Sequence, residues 1–168
     1  MITISTHSPA TAHPLLRPHL QALAQEVEAL VSDVYWNRTH EPGRMAAAHL
    51  GSSAWVLAHE RDRIVGTARA ISDGAKCAWV YDVVVAEHLR GEGVGTRLMS
   101  ALLAHDTMTG VRWVHLSTRD ADPFYARLGF GLSEEVCRVP WRRVAMSLDR
   151  GRVPFAAWDD PGRSPLAS

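Results

Sequence analysis

Lysine is almost missing from this chain. Lys and Arg together number 18, and with Lys76 the sole lysine the other 17 are arginines. Net charge is missing too, since Asp and Glu also number 18. Without a basic excess, nothing draws the chain onto nucleic acid or an anionic membrane. Cysteine is scarce: Cys77 and Cys137 stand sixty positions apart and match no metal or redox spacing. They read as thiols of a reducing compartment. The nine histidines contain no i, i+4 pair and no HExxH pattern, so no metal is expected. The uncharged stretch Met45–His59 is too short to span a bilayer and holds His49, Ser52 and Ser53. Met1–Ala12 has no Lys or Arg and no long apolar run, unlike a secretory leader. These absences predict a soluble, cytoplasmic protein with no membrane or nucleic-acid partner.

What is present suits one globular domain. The 168 residues are 46% apolar and 21% charged, and a chain of that length buries about 70% of its unfolded surface. Ile2–Ser5 alternates weakly, as a first strand. Leu20, Leu23, Val27, Leu30, Val31 and Val34 recur at three- and four-residue steps, one face of a helix opened by Pro18. A short helix is expected near Arg44–Leu50. Three strands follow at Ala54–Ala58, Ile64–Ile71 and Lys76–Val85, with turns at Arg61–Arg63 and Asp73–Gly74. Val83–Val85 reads as strand covered on both faces.

Thereafter a helix over 94–105, a strand over Val111–Thr118 and a short helix over 123–128 are predicted. Asp122-Pro123 marks the start of the last and Gly129 its end. Phe130–Val136 and Val139–Leu148 supply two closing strands. The order β-α-α-βββ-α-β-α-ββ makes a mixed α/β domain over 1–148, with a mostly antiparallel sheet and about four helices. Residues 149–168 are expected to form an extended or poorly ordered tail whose Phe155 and Trp158 suit docking on the body or on a second copy, as in a homodimer.

The informative segment is VVVAEHLRGEGVGT, Val83–Thr96. A strand, a glycine-rich turn and a helix N-terminus together make an anion site. Glycines admit close backbone approach, several N–H groups converge, and the helix dipole adds about half a positive charge. Arg90 brings a full charge. This suits a pyrophosphate. It is no Walker loop, because GxxxxGK[ST] is absent. A dinucleotide fold is disfavoured, because no acidic residue stands about twenty positions on, where His115 lies, and the preceding meander is antiparallel.

Arg90-x-x-Gly93-x-Gly95 resembles the acetyl-coenzyme A signature of the GCN5-related N-acetyltransferases. Leu116–Phe130, with Tyr125 four residues before Gly129-Phe130, resembles that family's later motif. The resemblance spans about residues 53–148. It implies a sheet splayed between its fourth and fifth strands and acetyl-CoA as co-substrate. Val83, Val85, Arg90, Gly91, Gly93, Val94, Gly95 and Thr96 are then its expected binding residues. Thr118 stands where the family often carries an asparagine for the pantetheine arm.

The resemblance further implies direct attack by a primary amine, with strand N–H groups at Val83–Val85 receiving the oxyanion and Tyr125 protonating the leaving thiolate. Asp82 is the first candidate for the base, followed by His115 and Tyr81. Strand alternation puts Tyr81 and Asp82 on opposite faces, so both can serve one cleft only if a bulge intervenes. Tyr35, Trp36 and Arg38 fall where the family builds its acceptor pocket and suit an amino-acid-like or aromatic amine. Trp55, Trp79, Trp113 and Trp141 read as strand packing. A small-molecule amine is the expected acceptor. A protein Nα-acetyltransferase and a non-catalytic coenzyme A-binding module are the alternatives.

Overall fold

The computed structural model of the chain describes residues 1–132. The two closing strands beyond Leu132, Cys137, Trp141 and the 149–168 tail with Phe155 and Trp158 lie outside the described residues.

Five strands form one sheet in the order β1 (Ile2–His7), β2 (Ala54–Glu60), β3 (Arg63–Ser72), β4 (Cys77–Val85) and β5 (Trp113–His115). The first three pairings are antiparallel and the last is parallel. Both turns of the meander sit where the sequence puts them. Arg61 takes φ +54° and Gly74 φ +72°, and the Asp73 carboxylate accepts from the N–H groups of Ala75, Lys76 and Cys77.

The faces of β2 show why the sheet is sandwiched. Trp55 and Leu57 point to α1 (Arg17–Val31) and α2 (Arg44–Leu50), packing with Leu20, Ala24, Val27 and Val31. Ala54, Val56 and Ala58 point the other way, to Leu98, Met99 and Leu102 of α3 (Val94–Leu103). Each of those three α3 side chains is fully buried, worth about 1.5–3 kcal/mol apiece. Small residues on this face let α3 come close; a β-carbon on Gly66 would stand 3.0 Å from Leu98. Val84 packs with the α1 cluster while Val83 and Val85 pack with the α3 cluster, so this run is covered on both faces.

Two departures from the sequence reading bear on the site. A further helix, α4 (Asp106–Thr109), is capped by the His105 ring accepting from the Thr107 N–H. With α5 (Asp122–Ala126) the described residues hold five helices, not about four. β5 spans three residues rather than eight, because it pairs with β4 only at Cys77–Trp113, Ala78–Val114 and Trp79–His115. Past Trp79 the two strands part, and that gap positions the site. Among the described residues no helix is long and apolar enough to cross a membrane.

Candidate active site

Two cavities flank the end of β4. The first, about 430 Å³, begins at the glycine turn. A 3-10 turn (Glu87–Leu89) carries the chain from β4 to Arg90, and α3 starts at Gly93. Gly91 and Gly93 take φ +85° and +77°, a backbone conformation that favours glycine. Among the described residues a β-carbon on either would meet nothing within 4 Å, so both present open backbone. Gly95 serves differently: its missing side chain admits the Phe124 ring, 3.3 Å from where a β-carbon would be. The Arg90 Nε donates to the Val85 carbonyl at 3.2 Å, fixing the arm while the rest of the side chain stays exposed.

Val83, Val85, Arg90, Gly91, Gly93, Gly95 and Thr96 all line this cavity. Two expected residues do not. Val94 is 2% exposed and packs in the core behind the turn. Thr118 lies in the second cavity, where its hydroxyl accepts from the Ala121 N–H at 3.1 Å and steadies the entry to α5. Arg127 was not anticipated; it brings a second guanidinium to the first cavity from the residue after α5.

The second cavity, about 460 Å³, fills the gap between β4 and the segment after β5. Its walls are aromatic. Tyr35 and Trp36, just after α1, meet edge to face with centroids 4.7 Å apart. Trp79 and Tyr81 project from β4, half exposed. Trp79 is therefore a cavity wall, contrary to its expected packing role, and stacks on His115 at 5.0 Å. Trp55 does belong to the core, donating to the Thr67 hydroxyl. Trp113, half buried on β5, lies beneath the Arg112 guanidinium, 5.2 Å from the ring centroid.

Arg38 is not part of this pocket: it is exposed and donates to the Asp33 carbonyl. The guanidinium beside the aromatic pair is that of Arg119, 3.7 Å above the Tyr35 ring centroid and within the cavity lining. It also reaches Asp120 at 3.4 Å, an exposed pair of little strength.

Asp82 sits at the base of the second cavity, at a break in the ladder. Thr67 pairs with Val84 but Arg69 pairs with Tyr81, so Asp82 and Val83 together oppose Ala68. This is the bulge that strand alternation required, and it brings Tyr81 and Asp82 to one cavity. Asp82 takes φ +49° there. Its side chain is 6% exposed and its Oδ2 accepts from the Arg69 Nε at 2.6 Å. Oδ1 accepts from the Trp36 Nε1 at 3.1 Å and the Asn37 Nδ2 at 3.4 Å.

Burial pushes the Asp82 carboxyl up, but the Arg69 charge and hydrogen bond, helped by His49 and Trp36, outweigh it and leave the group below the usual carboxylate range. Arg69, nearly buried, also lies 4.8 Å over the Tyr81 ring. Sequence reasoning missed both Arg69 and Asn37. The available signal was an arginine within Thr67-Ala68-Arg69-Ala70, a strand otherwise of small residues.

The cavities meet at Tyr125. With Val83 and Ala121 it lines both. Burial alone raises its phenol above 10.0, so at neutral pH it holds its proton. Phe124 and Phe130 fix the ring edge to face at 4.9 and 5.9 Å.

Residues 51–131 match the family model described as an acetyltransferase (GNAT) domain. A mouse (Mus musculus) protein, N-alpha-acetyltransferase 80, is 45% identical over 75 residues, 44% of this chain and 24% of that protein, so the match spans about a quarter of the relative. Among solved structures, a GNAT-family protein of Xanthomonas campestris superposes with TM-score 0.63 at 28% identity, covering 86% of this chain and 94% of that one. A GNAT-family protein of Streptococcus pneumoniae gives TM-score 0.60 at 22% identity, covering 88% and 100%.

Proposed function

We propose that the chain is a GNAT-type acetyltransferase that moves the acetyl group of acetyl-CoA onto a primary amine held in the aromatic cavity; the family match over residues 51–131 and the superposition on GNAT-family structures support this reading. The observation that carries this reading is the junction of the two cavities at Val83 and Tyr125. The donor's pyrophosphate suits the Gly91–Gly93 turn, where open backbone, the α3 N-terminus and the Arg90 and Arg127 charges converge. The pantetheine arm then runs along Val85 and Val83 and brings the thioester to the junction. Transfer occurs in a ternary complex, by attack of the amine on the thioester carbonyl.

Each group's role follows from its chemistry. Backbone N–H groups at Val83 and Val85 serve the developing oxyanion, since β5 does not pair with β4 past Trp79. Tyr125 donates to the departing sulfur. Burial raises the phenol, so full proton transfer from it to a thiolate of pKa about 8.5 is unfavourable. Its contribution is therefore a hydrogen bond that strengthens as sulfur charge grows, while the proton lost by the attacking nitrogen ends on the sulfur.

Asp82 is a weak proton acceptor in this setting. Its carboxyl is held below the usual carboxylate range, far beneath an alkylammonium of pKa about 10.4, so proton transfer between them is strongly unfavourable. The amine therefore sheds its proton to water at the cavity mouth and reacts from its neutral fraction. Tyr35 and Trp36 wall the acceptor, and Arg119 takes the place sequence reasoning gave to Arg38, facing a carboxylate on an amino-acid-like amine.

The likeness to an N-alpha-acetyltransferase favours a second reading, in which the α-amine of a peptide enters the same cavity. Thiol release from acetyl-CoA, measured with amino acids, arylalkylamines and short peptides, tests both. Acceleration by free amines but not peptides is the expected result. Peptides alone would establish the second reading, and coenzyme A binding without acceleration by any amine would overturn both in favour of a binding module.

A further inference from the structure

We propose that the Arg69–Asp82 pair is a positioning device: it holds β4 in its bulged, left-handed conformation so that the Val83 N–H meets the acetyl carbonyl, and it ties that conformation to the acceptor wall. The inference rests on the acetyl transfer proposed above and gives roles to Arg69 and Asn37, which line neither cavity.

The backbone supplies the first argument. Asp82 is one of two non-glycine residues with positive φ among those described. The other, Arg61, sits on a hairpin tip where a strained residue relaxes into solvent. Asp82 has no such freedom, because it lies within a paired strand at a cavity floor. Strain of this kind persists only where the surroundings over-determine it. At Asp82 they do so through the side chain. Arg69 reaches it from β3, and Trp36 and Asn37 reach it from the segment after α1. Asn37 is itself 5% exposed and its Nδ2 also donates to the Val31 carbonyl at 3.0 Å.

The bulge supplies the second argument. Because Asp82 and Val83 share one partner on β3, Val83 is displaced from its ladder position to line both cavities. Without the carboxylate and its three donors, the low-strain alternative is a regular ladder, which returns Asp82 to the opposite face from Tyr81. Trp36 belongs to the same unit: its ring walls the acceptor cavity while its Nε1 holds the carboxylate.

Calorimetry with acetyl-CoA and with coenzyme A reads the device directly, because only the acetylated ligand carries the carbonyl. In Arg69→Ala and Asp82→Asn, the ratio of acetyl-CoA to coenzyme A affinity is expected to fall roughly 2- to 10-fold, the worth of one hydrogen bond. Coenzyme A affinity itself should change less than about twofold. The double variant should lose no more than the worse single one, because the two act as a unit. Trp36→Phe, which keeps the wall and drops the donor, should give a smaller fall in the same ratio.

A general role in stability would weaken both ligands together, and a base role for Asp82 would leave the ratio untouched. Either result overturns the inference, as does additivity of the two single losses. Asparagine preserves the shape of aspartate and tolerates left-handed backbone, so Asp82→Asn decides the matter if Arg69→Ala fails to fold. Wild-type protein that binds neither ligand would refute the donor-site reading, and this inference with it. An altered ratio without turnover of any amine would refute only the acceptor reading.

Discussion

Gly93→Ala separates two jobs that the glycine turn performs. The residue takes φ +77°, where an added β-carbon crowds the following carbonyl. That strain costs about 1–2 kcal/mol. No described residue lies within 4 Å of the new carbon to add a steric clash, and the Arg97 N–H bond to the Gly93 carbonyl at 3.1 Å survives. For a domain of this size the melting temperature should fall by about 2–8 °C. The same methyl stands on the open backbone proposed to cradle a pyrophosphate. Losing one charge-assisted hydrogen bond there, about 1.5–3 kcal/mol, should weaken coenzyme A binding roughly ten- to a hundredfold. Gly74→Ala is the control: its φ is +72°, its surroundings are equally open, and it lies in the β3–β4 turn. It should lose a similar melting temperature and keep full affinity. Differential scanning fluorimetry and calorimetry measure the two quantities, and pantetheine, which lacks the pyrophosphate, should bind both variants as it binds the parent. Parallel melting losses with undiminished coenzyme A affinity in Gly93→Ala would refute the cradle.

Further expectations concern the junction and the acceptor wall. Tyr125→Phe should lower kcat about a hundredfold with little change in cofactor affinity; full activity would remove the phenol from the mechanism. If the amine reacts from its neutral fraction, log kcat/KM for the acceptor should rise with slope one up to the acceptor's own pKa and move with that pKa across a panel of amines. A fixed inflection common to every acceptor would point instead to a base on the protein. The Asp82 carboxyl is held below its ordinary value, so the unfolded chain protonates first as pH falls. Its contribution to stability is present above pH about 3.9 and lost as pH drops through the lower folded value. The gap in urea midpoint between parent and Asp82→Asn should thus stay level from pH 7 to 5 and close below about 4. A gap that persists at low pH would contradict the ion pair. Arg119→Gln should raise KM several-fold for amines bearing a carboxylate and leave the same amines without it unchanged, as steady-state kinetics can measure.

What the sequence disclosed and what it withheld divide along physical lines. The glycine turn was legible because its requirement is local: positive φ and open backbone demand glycine at 91 and 93 whatever surrounds them. Tyr125 was singled out by the resemblance of Leu116–Phe130 to the family's later motif, and it lines both cavities. The meander, too, follows from alternation and turn chemistry that act over a few residues. The guanidinium over the Tyr35 ring was not legible. Arg38 is adjacent to the Tyr35–Trp36 pair in the chain, whereas Arg119 reaches Tyr35 only because the separated β4 and β5 leave room for the segment after His115. Arg69 was hidden for a related reason. A buried charge announces itself only through its partner, and Asp82 faces the aromatic cavity because of a bulge that no periodicity records. The shortening of β5 likewise depends on where two strands diverge, which the strand-like stretch Val111–Leu116 does not encode.

Among the described residues the two cavities share Val83, Ala121 and Tyr125 and no others. Mutations among Tyr35, Trp36, Trp79 and Arg119 can therefore accumulate without touching the turn that suits the donor. After gene duplication, one copy could explore new amines while keeping the same acetyl supply. A directed-evolution library confined to those four positions would sample that divergence. Asp82 limits its reach, because any replacement of Trp36 that removes the indole N–H alters the anchoring of β4 as well as the wall, and variants gaining a new acceptor there should tend to arise with compensating changes at Asn37 or Arg69.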